Sequence, residues 1–167
     1  MDGIEIAAGA DQTLTVFNPM GFPPKVKGKT PAPRPDALDG KTVYLVDCRF
    51  DDSVELLKQV QAWFAEHMPG VNAPIVQLSS VYGLDDPETW KKIQADGDGA
   101  ILGCGHCSTC APAVATHGVT LETEYGVPTV ALHTDMYEKV VRSVTQVKGL
   151  PMAPSVFVPQ PVMGRPA

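Results

Sequence analysis

Between residues 41 and 158 short apolar runs alternate with longer amphipathic stretches, and this alternation restricts the choice of fold more than any other feature. The first run, residues 41–48 (Lys-Thr-Val-Tyr-Leu-Val-Asp-Cys), is almost continuously apolar and follows Gly40. A strand buried on both faces reads this way, because no alternate position has to meet water. Asp51, Asp52 or Ser53 then supplies a helix cap. Leu56, Val60, Trp63, Phe64 and His67 fall on one face of that helix, and Pro69-Gly70 ends it. Residues 73–78 form a second short strand. Asp86-Pro87-Glu88 opens a second helix, with proline at its first position, and that helix stops near Gly97. Trp63, Phe64 and Trp90 are expected in the core. Residues 99–103 form a third strand. A third helix runs from Pro112 to about Tyr125 and closes on Gly126. Residues 127–133 form a fourth strand. Asp135 caps a fourth helix with Met136, Val140, Val144 and Val147 on one stripe, and residues 155–158 form a fifth strand.

Strands and helices in this rhythm predict an α/β fold: a three-layer, flavodoxin-like (Rossmann-like) parallel sheet of about five strands in the order 2-1-3-4-5. The division expected is an arm over residues 1–40, an α/β domain over 41–162 and a tail over 163–167. The arm is extended and rich in proline, with Pro19, Pro23, Pro24, Pro31, Pro33 and Pro35 breaking regular structure. Only residues 14–17 read as a strand there. Phe17, Met20, Phe22 and Val26 are apolar groups that a solvated tail does not need, so residues 1–35 are read as lying across another subunit, in a homo- or hetero-oligomer.

In a 2-1-3-4-5 sheet the crevice lies where strands one and three diverge, at their C-terminal ends. Gly103-Cys104-Gly105-His106-Cys107-Ser108-Thr109-Cys110 follows strand three. It holds three of the four cysteines in a C-x-x-C-x-x-C pattern, at the expected start of a helix. A helix N-terminus offers free N–H groups and partial positive charge, and both favour thiolate over thiol. Asp47 and Cys48, ending strand one, belong to the same crevice, and His133 and Asp135, ending strand four, lie beside it, so Asp47, His133 and Asp135 are read as substrate-binding. For His133, and for His67 and His117, ordinary surface or packing roles compete with functional ones. Cys48 by itself reads as a small buried hydrophobe.

Two chemistries suit this set. In the first, Cys107 is a nucleophile favoured by the helix terminus and by a protonated His106. Cys110, one turn on, resolves the adduct as a disulfide, and Cys104 is a second candidate resolver. Ser108 and Thr109 then offer N–H groups to an anionic part of the substrate. No cofactor is required. In the second, Cys104, Cys107 and Cys110, with Cys48 as a fourth ligand, hold zinc or an iron–sulfur cluster. Cys104-Gly105-His106-Cys107 also looks like the dithiol of disulfide isomerases. Only 20 residues separate Cys107 from Pro128, however, too few for the helix, strand and helix that a thioredoxin fold places there.

The residues quoted so far resemble the UGSC-motif (selenocysteine-Gly-Ser-Cys) family, related to the selenoprotein subunits of glycine and proline reductase systems. In that resemblance Cys107 falls at the selenocysteine position and Cys110 at the resolving cysteine. It extends over about residues 36–162, through Leu38-Asp39-Gly40-Lys41, the strand ending in Asp47, Gly126-Val127-Pro128-Thr129-Val130 and Val158-Pro159-Gln160-Pro161. The arm before residue 36 lies outside it. His106 stands in place of an acidic residue, Ser108 in place of glycine, and Cys104 is additional. The resemblance implies a selenol or thiol that attacks a carbon bearing a leaving group, or an oxidised sulfur, inside a multi-subunit complex. A reductase, oxidoreductase or lyase subunit is therefore expected, with a small-molecule substrate and a thiol or dithiol reductant.

Composition removes other classes. The chain has 167 residues, 44% hydrophobic and 19% charged, as an ordinary globular domain does. A net charge of −6 argues against nucleic acid and anionic membranes as partners. No apolar run approaches the roughly 18 residues of a membrane span. No signal peptide is legible, so the expected compartment is the cytoplasm, where clustered cysteines are more often reactive or metal-binding than structural.

Overall fold

The computed structural model describes the backbone of residues 3–7 and 13–17, and residues 25–80 and 83–162 in full. Met20, Phe22, the side chain of Phe17 and the tail over 163–167, all named above, lie outside the described residues. Two N-terminal strands, β1 (Gly3–Ala7) and β2 (Thr13–Phe17), pair antiparallel with Ile4 opposite Val16 and Ile6 opposite Leu14. The first part of the arm is thus a hairpin, where only a strand over 14–17 is legible in the sequence.

The domain is a five-stranded, all-parallel sheet. Its strands are β3 (Val43–Asp47), β4 (Ile75–Gln77), β5 (Gly99–Gly105), β6 (Thr129–Thr134) and β7 (Ser155–Val158), in the order β4-β3-β5-β6-β7. This is the expected order 2-1-3-4-5. Helix α1 (Ser53–His67) covers one face, packing Leu57 and Phe64 on Val43, Leu45, Ile101 and Leu132. Helices α2 (Pro87–Asp96) and α3 (Cys110–Glu124) cover the other, where Trp90, Ile93, Val114 and Leu121 meet Tyr44, Val46, Ala100, Leu102 and Ala131. Successive strand residues go to opposite layers, which is why the apolar runs are continuous. Helix α4 (Glu138–Val147), entered through a 3-10 turn at Asp135–Tyr137, packs Val141 on Ala111 and Ala115 of α3.

Two expectations change. Trp63 is half exposed, because α1 turns Ser53, Leu57 and Phe64 inward and leaves Trp63 on its flank. Its indole stacks instead on His67 one turn later, at 4.9 Å and 12°. On α4 the inward residues are Val141 and Thr145, while Met136, Val140 and Val147 face outward. The tighter 3-10 turn shifts the stripe by one residue. Residues 29–34, at the end of the arm, are tied to the domain. Lys29 N–H donates to the Gly149 carbonyl at 2.7 Å, and Ala32 N–H to the Glu122 carboxylate at 2.7 Å. Arg34 closes a two-point pair on Glu122 at 2.6 and 3.0 Å.

Candidate functional site

Strand β3 leads into α1 on one face of the sheet and β5 leads into α3 on the other, so a crevice opens between their C-terminal ends. Asp47 pairs with Gly103 in the ladder, which sets Cys48 and Cys104 at the ends of neighbouring strands. Cys48 N–H donates to the Gly103 carbonyl at 3.1 Å. Beyond Leu102 the β5–β6 ladder slips and resumes with Gly105 opposite His133. Cys104 therefore sits in a strand irregularity, because β5 runs two residues further than the 99–103 read from the sequence. A slip of this kind re-aims side chains at a sheet edge.

The loop after β5 carries the reactive pair. Cys107 and Cys110 are joined as a disulfide, with their Cα atoms 5.0 Å apart. Helix α3 begins at Cys110 itself, not at Ala111 or Pro112. Cys107 is half-buried in the loop, Cys110 is buried in the first turn, and Ser108 and Thr109 are exposed at the tip. The Cys110 N–H points at Cys107 Sγ from 3.0 Å, so the helix terminus offers Cys107 a donor as well as its dipole.

His106 is buried, and its Nε2 lies 3.0 Å from the Asp51 carbonyl. A carbonyl only accepts, so Nε2 carries the proton and the ring is tied to the turn before α1. That turn is held in a costly conformation, with Arg49 at φ 61° and Asp52 at φ 53°. Asp47 faces inward. Its carboxylate accepts from Arg49 N–H at 2.9 Å, Ser53 Oγ at 2.6 Å and Gln77 Nε2 at 2.7 Å. Ser53 Oγ also lies 3.1 Å from the Gly103 carbonyl, so Asp47 and Ser53 together hold the strand ends in place.

His133 is completely buried beneath the loop. Its ring fills the space a Cβ on Gly105 would need, beside Ala111, and stacks on Phe157 at 5.7 Å. Among the described residues neither ring nitrogen has a hydrogen-bond partner. Burial pushes its pKa down to about 4, and the positive charge of Arg142, which lies over the Phe157 ring, adds to this. Asp135 is exposed and accepts Gln160 N–H at 3.1 Å, while Gln160 Nε2 reaches the His106 carbonyl at 3.5 Å. Gln160 thus ties the segment after β7 to the cysteine loop. Sequence reading missed the parts played by Ser53, Gly105 and Gln160. Gln160 carried a signal, as part of the Pro-Gln-Pro stretch within the family resemblance.

The two remaining thiols are free and buried. Burial pushes Cys104 up to about 11. Cys48 is raised as well, by burial first and then by the charges of Asp47 and Cys104. Among the described residues no group of three or more His, Cys, Asp or Glu side chains is placed to hold a metal ion. Of the four sulfurs in the metal alternative, Cys107 and Cys110 are bonded to each other.

The UGSC family pattern matches residues 15–167. The chain belongs to the UGSC family. The match begins well before residue 36, so the family pattern includes β2's last residues and the strap over 25–35 that was expected to fall outside it. A search of curated proteins finds no match to the chain. Among the described residues no helix is long and apolar enough to cross a membrane.

Proposed function

We propose that this UGSC protein is a thiol-dependent enzyme, or the catalytic subunit of one, in which Cys107 attacks a small substrate and Cys110 resolves the adduct. One observation carries the reading: a disulfide at the start of α3 whose first sulfur is partly accessible and receives the Cys110 N–H, and whose second is buried. After reduction the same N–H and the helix dipole favour the Cys107 thiolate. The thiolate attacks a carbon bearing a leaving group, or an oxidised sulfur. The Cys110 thiolate then attacks Cys107 Sγ and restores the disulfide, while the displaced carbon keeps the bonding electron pair and takes a proton, or the oxygen taken from the oxidised sulfur leaves as water. A thiol or dithiol reductant returns both sulfurs to the thiol state. Reductive cleavage accounts best for this cycle, with lyase-type chemistry as its variant when no electrons leave the pair. The exposed Ser108 and Thr109 present the loop tip to an anionic group of the substrate. The reading places the protein in the cytoplasm, in an oligomer or multi-subunit complex that uses the N-terminal hairpin.

Intact-protein mass spectrometry after treatment with hydrogen peroxide, which turns an attacking thiolate into a sulfenic acid that a second thiol can resolve, tests the assignment. Cys110→Ser should accumulate an adduct on Cys107, because its intramolecular resolver is gone. Cys107→Ser should form none at the loop. An adduct trapped on Cys110 or Cys104, with Cys107→Ser still turning over, would assign the nucleophile elsewhere.

A further inference from the structure

The two thiols left unused by that cycle are placed as a pair. Cys48 and Cys104 each lie one residue beyond the Asp47–Gly103 pairing of two adjacent parallel strands, and the Cys48 N–H to Gly103 carbonyl bond ties the strands together there. Both are buried, and the charge on one thiolate is felt by the other. Cys48 packs in the same apolar cluster as Cys110 and Cys107. Cys104 stands three residues before Cys107, the spacing that Cys107 has to Cys110. All four cysteines of the chain thus converge on one end of β3 and β5. Two small buried hydrophobes would account for the packing at 48 and 104, but not for the gathering of every cysteine of the chain at this one place.

We propose that Cys48 and Cys104 form a second dithiol, which the Cys107–Cys110 disulfide oxidises by internal thiol–disulfide exchange. The proposal rests on the redox reading of the Cys107–Cys110 pair. The Cys104 thiolate attacks Cys107 Sγ, and the sulfur–sulfur bond to Cys110 breaks. Cys110 leaves as a thiolate and takes a proton. The Cys48 thiolate then attacks Cys104 Sγ and expels Cys107, whose thiolate is received by the Cys110 N–H at 3.0 Å. Two electrons move from the buried pair to the loop pair, and the two protons lost by Cys48 and Cys104 go to Cys107 and Cys110. No outside reactant is consumed. High thiol pKa values make the buried pair slow to start, as suits an electron store rather than a first nucleophile. The loop is recharged from within when reductant is scarce, so one chain can deliver four electrons instead of two.

The test uses the full-length chain, fully reduced, then oxidised with excess diamide under native conditions. The sample is quenched with acid, denatured and alkylated, and its disulfides are mapped by peptide mass spectrometry. The expected result is a Cys48–Cys104 link beside Cys107–Cys110, with alkylatable thiols falling from four per chain to none. In a Cys107→Ser/Cys110→Ser chain the buried link should form about tenfold more slowly or not at all, because the loop disulfide is its oxidant. A closed Cys107–Cys110 pair with Cys48 and Cys104 still free would overturn the second dithiol alone. Closure of the buried pair at an unchanged rate in the double variant would overturn the internal route. A chain in which Cys107 and Cys110 never link would overturn both this proposal and the cycle it rests on.

Discussion

The two ends of α3 bury ionisable side chains in opposite ways. At the C-terminal end Glu122 is buried and receives four donors: Ala32 N–H, both terminal nitrogens of Arg34 and Thr129 N–H, all within 3.0 Å. At the N-terminal end His133 lies under Gly105 and Ala111 with no donor or acceptor among the described residues. A buried polar group without a partner costs about 1–3 kcal/mol, whereas one fully paired is a fixed joint. The Glu122 end is thus a clamp holding the strap to the domain. The His133 end carries a standing cost directly beneath the reactive loop, the kind of departure from good packing that proteins keep at functional sites.

If this contrast is real, breaking the clamp should have the largest effect. Glu122→Ala leaves the buried N–H groups of Ala32 and Thr129 unpaired and should lower stability by about 3–5 kcal/mol in urea unfolding. Deleting residues 1–35 removes three of the four contacts to Glu122, so it should destabilise the domain strongly and not merely release an arm. A deletion variant as stable as the full chain would show that the strap is not a clamp.

The His133 end should reveal itself through pH. Its pKa is near 4 when folded and near 6.5 when unfolded, so the unfolded chain takes up the proton first as pH falls. This contribution to stability is intact above about pH 6.5 and is lost as pH falls through about 4, a change on the order of 3 kcal/mol. His133→Leu should remove that part of the acid slope while changing stability at neutral pH by no more than about 1 kcal/mol. A large loss at neutral pH would mean that the imidazole has a partner. Gly105→Ala should cost about 1–3 kcal/mol, because its methyl group would overlap the imidazole, and His133→Ala in the same chain should recover part of it.

The smallest effect is expected away from both ends. Asp52 precedes α1 at φ 53° with no side-chain cap bond, so Asp52→Gly should be neutral or stabilising by up to about 1 kcal/mol. A clear loss of stability would mean that the Asp52 carboxylate acts on the turn that holds His106.

Strand order, the start of α2 at Asp86 and the place of the cysteine loop were legible in the sequence, because apolar runs, proline and capping residues are local signals. The inward faces of α1 and α4 were less so. Trp63 and Val140 satisfy a helical stripe as well as Leu57 and Val141 do, and only packing against the sheet selects between them. The Glu122 clamp joins residues 88 and 90 positions apart, beyond any local pattern. Asp47 looked available for substrate because a strand end faces the crevice, but its three donors come from the following turn, α1 and the neighbouring strand. The dithiol was legible from C-x-x-C and the burial of Cys48 from its apolar run, while the burial of Cys104 and His133 depends on layers the sequence does not show.

The central claim is that Cys107 is the attacking thiol of the four. Fully reduced protein, treated at neutral pH with less than one equivalent of iodoacetamide per chain and mapped by peptide mass spectrometry, tests it directly. Cys107 should carry nearly all of the label, because it is the most accessible of the four and faces the Cys110 N–H, while Cys110, Cys48 and Cys104 are buried. Label concentrated on Cys110 or Cys104, or spread evenly over the four, would contradict it.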